Sequence, residues 1–239
     1  MEKNNYLLGY KNLRVYQDSE MFNFSLDSVL LPNFVTINKN IKNILDIGCG
    51  NLPVSLILTT KTDASITAVE IQKDVYDIAL KNLELNNKKD QINIINADIR
   101  DLYKNFETEY YDVIVCNPPF FKVSKDSHLN KNDYKTIARH EVFLNLDDLF
   151  SISKKILKNN GIISIVHRPE RLLDIICAMR KYNIMPKKIQ FVYPKKDKKA
   201  NILLIEGTKN GNSGMKILPP LFVHNEDGSY TDEVKKYFE

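Results

Sequence analysis

From about residue 40 onward, short apolar runs alternate with stretches whose apolar positions recur at helical spacing. Asn43-Ile44-Leu45-Asp46-Ile47 reads as a strand running into Gly48-Cys49-Gly50, and Val54 to Leu58 reads as the apolar side of a helix. Ser65 to Glu70 is a second strand. The helix after it, from about Lys73 to Asn86, carries the stripe Val75, Ile78, Ala79, Leu83 and Leu85. Gln91 to Asn96 and Tyr111 to Cys116 are the third and fourth strands. Beyond a polar stretch from Lys122 to Lys135, the spacing of Val142, Leu146, Leu149, Ile152 and Ile156 predicts a helix over about Glu141 to Lys158. Asn159-Asn160-Gly161 reads as its stop signal. Ile162 to Val166 is the fifth strand, and Pro169 suits the first turn of a helix reaching about Tyr182. Lys188 to Tyr193 and Asn201 to Glu206 are two further strands, flanking Pro194-Lys195-Lys196-Asp197-Lys198-Lys199.

Strands that alternate with helices require right-handed crossovers, which give an α/β fold with a mainly parallel sheet. The last two of the seven strands have no helix between them, which predicts an antiparallel strand at one edge. No repeat, linker or low-complexity segment divides the chain. The pattern therefore predicts one domain over 1–239, with an N-terminal cap at 1–40, a core at 41–207 and a C-terminal extension at 208–239.

Composition narrows the function classes. Lys+Arg 34 against Asp+Glu 30 leaves a net charge of only +4. That argues against a purely electrostatic nucleic-acid binder and leaves room for a local basic patch. No apolar run reaches the length of about 18 residues that a membrane helix needs, and the N-terminus does not read as a secretory signal. Cys49, Cys116 and Cys177 are far apart and sit in apolar segments, so they read as reduced core residues of a cytoplasmic protein. The four histidines show no metal-ligand spacing, and no metal is expected.

Candidate chemistry gathers at the C-terminal ends of successive predicted strands, the edge at which open α/β sheets bind ligands. The first feature is Asp46-Ile47-Gly48-Cys49-Gly50-Asn51, where glycines allow a sharp turn and close approach of a ligand. Glu70, an acid at the end of the second strand, can accept both hydroxyls of a ribose. Asp98, in Asn96-Ala97-Asp98-Ile99, can accept a hydrogen bond from an adenine amino group. Each alone has a plainer reading, as a turn, a solvated strand end or a helix N-cap. The glycine loop lacks both the Gly-x-Gly-x-x-Gly dinucleotide pattern and the Lys-Ser/Thr of a phosphate loop. Glycines with three acceptors suit a nucleoside that carries no phosphate.

Asn117-Pro118-Pro119-Phe120 is the most specific feature. Prolines fix φ and remove backbone donors, so the loop presents acceptors. The side-chain oxygen of Asn117 and the carbonyl of Pro118 can face an exocyclic NH2, and Phe120 can stack on a planar ring. Two acceptors help localise the delocalised nitrogen lone pair. The proton can leave once the nitrogen has become cationic, so no strong general base is needed before attack.

These residues resemble the Rossmann-like class I S-adenosylmethionine-dependent methyltransferases that carry an Asn-Pro-Pro-Phe/Tyr loop. The resemblance covers about residues 20–207 and is closer still to the bacterial tRNA1(Val) adenine-N6 methyltransferase family. Three segments carry that closer likeness: Phe24-Ser25-Leu26-Asp27-Ser28-Val29-Leu30-Leu31, Ala138-Arg139-His140-Glu141, and Val166-His167-Arg168-Pro169-Glu170-Arg171-Leu172. The resemblance implies S-adenosyl-L-methionine as cofactor and N6-methylation of an adenine beside the anticodon of a tRNA. It implies that Asp46, Gly48, Gly50 and Asn51 line the methionine end of the cofactor. Glu70, with Ile71 beside it, would hold the ribose, and Asp98 and Ile99 would face the adenine. Asn117, Pro118, Pro119 and Phe120 would receive the target base beside the cofactor, and Asp27 would close over it. One position departs from the pattern: Leu52 stands where related proteins often have a third glycine, and with Pro53 it is expected to narrow the loop.

Other substrates share the loop chemistry: guanine N2 of ribosomal RNA, adenine of DNA, and protein glutamine. A non-catalytic RNA-binding factor on the same fold is the alternative of another class. Lys195, Lys196, Lys198 and Lys199 read either as a solvated turn or, with Arg168 and Arg171, as a phosphate-contacting patch for RNA. Arg139 and His140 could contact substrate or pair with Asp133 or Glu141.

Overall fold

The computed structural model describes residues 2–6, 13–18, 26–118 and 144–238. The seven strands read from the sequence are all present: β3 (Asn43–Ile47), β4 (Ser65–Glu70), β5 (Ile92–Asn96), β6 (Tyr111–Cys116), β7 (Leu157–His167), β8 (Ile184–Tyr193) and β9 (Ile202–Lys209). They lie in the order β8-β9-β7-β6-β3-β4-β5. The five from β7 to β5 run parallel, while β9 runs antiparallel to both β7 and β8. Two short strands of the C-terminal extension, β10 (Lys216–Ile217) and β11 (Leu221–Phe222), pair with β8 and bring the sheet to nine strands. Two residues are too few to leave an alternation in the sequence, which explains why these two strands are not legible there. The N-terminal region contributes an antiparallel hairpin, β1 (Glu2–Tyr6) with β2 (Arg14–Asp18), and helix α1 (Asp27–Phe34).

Both faces of the sheet are covered, and the period-2 alternation of strand side chains divides the core in two. Ile44, Ile66, Ala68, Val113, Val115 and Leu204 pack on the face that holds α1, α2 (Pro53–Leu58) and α3 (Lys73–Leu85). Leu45, Ile47, Val69, Ile114 and Leu203 face the other layer. There α5 (Leu146–Ile156) buries the stripe Leu146, Leu149, Phe150, Ile152 and Ile156, and α6 (Leu172–Lys181) buries Ile175 and Met179. The one-turn helix α4 (Ile99–Leu102) follows β5.

Three expectations need correction. Helix α5 begins at Leu146, where the Asn145 side chain caps it by accepting the Asp148 N–H at 2.8 Å. It ends at Ile156, and Asn159-Asn160-Gly161 lies inside β7 rather than before it. Tyr111 pairs with Leu157 but Val113 pairs with Ile162, so β7 carries extra residues there and Asn160 takes φ 63°. Cys49 and Cys116 are buried as expected, whereas Cys177 is exposed because it points away from the Ile175–Met179 face of α6.

Candidate active site

The strand register aligns the motifs in one row. Ile47 is opposite Cys116 on one side and Val69 on the other, so Gly48, Asn117 and Glu70 emerge beside one another. Glu70 is opposite Asn96, which brings Asp98 next in line. The glycine loop is tied to β4 by the N–H groups of Gly48 and Cys49, which donate to the Val69 carbonyl at 2.9 and 3.0 Å. Gly48 and Gly50 have φ 69° and 56°, and a Cβ on either would meet no atom of the described residues within 4 Å. The backbone is thus open to close approach on that side.

Two carboxylates are buried under the loop. Asp46, on the α2 side of β3, accepts the Ser55 hydroxyl of α2 at 2.6 Å. Burial pushes its carboxyl up to about 7, against the opposing pull of the Ser55 hydrogen bonds. Glu70 accepts the N–H groups of Gly50 at 3.0 Å and Gln72 at 2.8 Å, one on each oxygen. Burial raises its carboxyl as well. Hydrogen bonds from Gln72, Gly50 and Ile71 pull the other way. Ile71 follows, half-buried.

Asp98 takes up the plainer role noted above. It caps α4 by accepting the Arg100 N–H at 2.9 Å and also pairs with the Arg100 guanidinium. Burial would raise its carboxyl, but the hydrogen bonds from Arg100 outweigh it and hold the group below its ordinary value. Ile99 is buried beside it. Asn51 is buried in the glycine loop, and Leu52 adopts the left-handed φ of 80° that a glycine would take there while burying its side chain completely. The loop therefore keeps the glycine backbone course without the glycine.

Asn117 is half-buried and Pro118 buried at the end of β6. Pro119, Phe120, Arg139, His140 and the segments 24–25 and 138–141 lie outside the described residues. Asp27 is the buried first residue of α1. The other end of that helix is tied to β8 and β9, where the Lys188 ammonium donates to the Phe34 carbonyl at 2.7 Å and Glu206 accepts the Thr36 N–H at 2.7 Å.

The β8–β9 turn lies at that same edge, since β8 runs parallel to β7. Lys196, Lys198 and Lys199 are exposed in it, and Lys195 donates to the Glu226 carbonyl at 3.0 Å. Arg168 donates to the Asn201 carbonyl at 2.7 Å, joining the exit of β7 to this turn, and Arg171 pairs with Asp174 at 2.8 Å. Ser55, Asn82 and Asn86 are contributors that the sequence motifs did not reveal. The Asn82/Asn86 spacing of four residues, one helical turn, is the signal that could have found the last two.

Among the described residues, no group of His, Cys, Asp and Glu is arranged to hold a metal, and no helix is long and apolar enough to cross a membrane.

Fold and edge together are those of a methyltransferase. A predicted O-methyltransferase from Agrobacterium tumefaciens superposes with a TM-score of 0.70 at 18% identity, covering 89% of this chain and 95% of that one. A geranyl diphosphate C-methyltransferase from Streptomyces coelicolor superposes at 0.58 and 12% identity, covering 77% and 80%. The model of the methyltransferase small domain family matches residues 25–182, and the chain belongs to that family. Within the family it is similar to a protein of Flavobacterium psychrophilum named tRNA1(Val) (adenine(37)-N6)-methyltransferase, 28% identical over 85% of this chain and 86% of that protein. A protein of the same name from Aliivibrio salmonicida is also 28% identical, over 88% of this chain and 87% of its own length.

Proposed function

We propose that this chain methylates N6 of an adenine beside the anticodon of a tRNA in the cytoplasm, with S-adenosyl-L-methionine as methyl donor. The observation that carries the reading is the register that puts Asn117, Gly48 and Glu70 side by side, in a chain whose full-length relatives bear the name of that activity. The residues present suit this cofactor: two glycines with open space beside them among the described residues, two buried acids beneath, and no phosphate-binding lysine in the loop. Asp46, Gly48, Gly50 and Asn51 hold its methionine end, with Asp27 above them. Glu70 and Ile71 hold the ribose, and Asp98 and Ile99 the adenine.

The bound cofactor supplies an electrophilic methyl group on a sulfonium. The chain supplies position. The Asn117 side-chain oxygen and the Pro118 carbonyl accept the two N–H bonds of the target amine, turning its lone pair toward the methyl carbon. Pro119 and Phe120 complete the base pocket. Alignment of two bound partners is worth about 7–11 kcal/mol of barrier, so positioning carries most of the rate. Extruding a base costs a few kcal/mol and least from a single-stranded loop, which favours an anticodon loop over a duplex. Arg139, Arg168, Arg171, Lys195, Lys196, Lys198 and Lys199 contact the RNA backbone.

Labelled S-adenosyl-L-methionine incubated with unmodified total tRNA, ribosomal RNA, DNA and protein tests the substrate. Label is expected in tRNA. Label only in ribosomal RNA, DNA or protein would replace the substrate assignment, and no label anywhere would favour a non-catalytic RNA-binding factor.

A further inference from the structure

The apolar stripe of α3 is interrupted by a fully buried amide, Asn82. Burying an amide is costly unless its groups are hydrogen-bonded, and Asn82 is bonded in two directions. Its Oδ1 accepts the Tyr16 N–H at 2.6 Å, and its Nδ2 donates to the Asn51 carbonyl at 2.8 Å and to the Tyr16 carbonyl at 3.3 Å. One turn further on, at the C-cap of α3, Asn86 repeats the pattern on Arg14, accepting its N–H at 2.9 Å and donating to its carbonyl at 2.7 Å. Arg14 and Tyr16 are alternate residues of β2, so both turn the same backbone edge away from β1. The two asparagines therefore act as a substitute strand along the open edge of the hairpin. Asn82 alone reaches past it to the glycine loop. Asn51 returns the contact, its Nδ2 donating to the Tyr16 carbonyl at 3.4 Å.

The loop at the far end of this link holds Leu52 in a left-handed backbone. Such a conformation is strained and persists only where the surroundings over-determine it. The Asn82 bond to the carbonyl of the preceding residue is one such determinant. We infer that Asn82 is a positioning residue that couples docking of the N-terminal hairpin to the shape of the glycine loop, so that hairpin order and cofactor affinity rise and fall together. The inference rests on the proposed cofactor site. Coupling of this kind is reciprocal: a ligand that fixes the loop must also steady β2.

The test is titration calorimetry of S-adenosylhomocysteine with hydrogen exchange of the amides of residues 13–18. In the wild type the ligand is expected to slow exchange at Tyr16. Asn82→Ala is expected to weaken binding by about tenfold, the upper end for one hydrogen bond, and to abolish the ligand's effect on Tyr16. Asn82→Asp keeps the acceptor for Tyr16 and loses the donor to Asn51. It is expected to weaken binding while Tyr16 stays protected in the free protein, and it carries the test if Asn82→Ala does not fold. Asn86→Ala is expected to speed exchange at Arg14 with a smaller effect on affinity. Wild-type affinity and an unchanged ligand effect in the Asn82 variants would overturn the inference alone. No binding by the wild type would overturn the proposed cofactor site and the inference with it.

Discussion

Leu52 meets two demands at one residue: a backbone at φ 80° and complete burial of its side chain. Substituting glycine would relieve about 1–2 kcal/mol of left-handed strain. It would also forfeit about 2–5 kcal/mol of buried leucine packing. The packing is the larger at mid-range, so Leu52→Gly should lower stability by about 2 kcal/mol, read as a lower melting temperature; a higher one would show that strain dominates. Asp46 gives a pH signature. Its folded carboxyl titrates near 7 against an ordinary 3.8, so over that window the folded state holds a proton that the unfolded state has released. Stability from this group therefore falls as pH rises from about 4 to 7 and is level above. His167 opposes it: burial, with Arg171 and Arg168 beside it, lowers its value from 6.5 to about 4, so its contribution rises with pH between those values. Asp46→Asn removes only the first effect. Its melting temperature should gain on the wild type from pH 4 to 7 and then run parallel to it; a constant offset throughout would show that Asp46 is ionised in the fold. Asp46, Glu70 and the glycines were legible in the sequence because they lie at or beside the ends of strands. Ser55, which stabilises Asp46, was not, because a helical serine has no distinguishing neighbours.

At the scale of elements, the strands were legible because both faces of the sheet are buried and their runs are nearly continuous. Boundaries failed where a local signal was overridden by pairing. Asn159-Asn160-Gly161 has the composition of a helix stop, yet β6 recruits it into β7 with added residues and a positive φ at Asn160. The packing of α6 on the sheet depends on a glycine that no motif marked. A Cβ on Gly207 of β9 would lie 2.1 Å from Met179 Cε, 2.8 Å from Ile184 Cγ2 and 3.1 Å from the Met185 carbonyl oxygen. Met179 can swing aside, but the backbone of β8 cannot without disturbing the register. Gly207→Ala should therefore cost about 1–3 kcal/mol by overpacking, measured by chemical denaturation. Unchanged stability would mean that α6 and β8 yield more readily than their packing implies.

For the whole molecule, the small net charge conceals an arrangement. The acids Asp46 and Glu70 are buried under the glycine loop, while Lys196, Lys198 and Lys199 project from a turn at the same edge. Each phosphate contact on a single strand adds about −0.7 to the slope of log K against log salt. The triple variant Lys196→Ala, Lys198→Ala, Lys199→Ala should bind tRNA more weakly and flatten that slope, with S-adenosylhomocysteine affinity unchanged. An unaltered slope would leave the turn a solvated connection. Methylation of an adenine amine of tRNA by the row at the edge of β3, β4 and β6 is tested most directly by nucleoside and fragment mass spectrometry. Unmodified tRNA would be treated with wild type or Asn117→Ala in the presence of S-adenosyl-L-methionine. N6-methyladenosine should appear in the anticodon-loop fragment with the wild type and fall by at least about a hundredfold with Asn117→Ala, as for loss of an interaction with the reacting group. Absence of N6-methyladenosine from that fragment, or an equal yield from both proteins, would contradict the account.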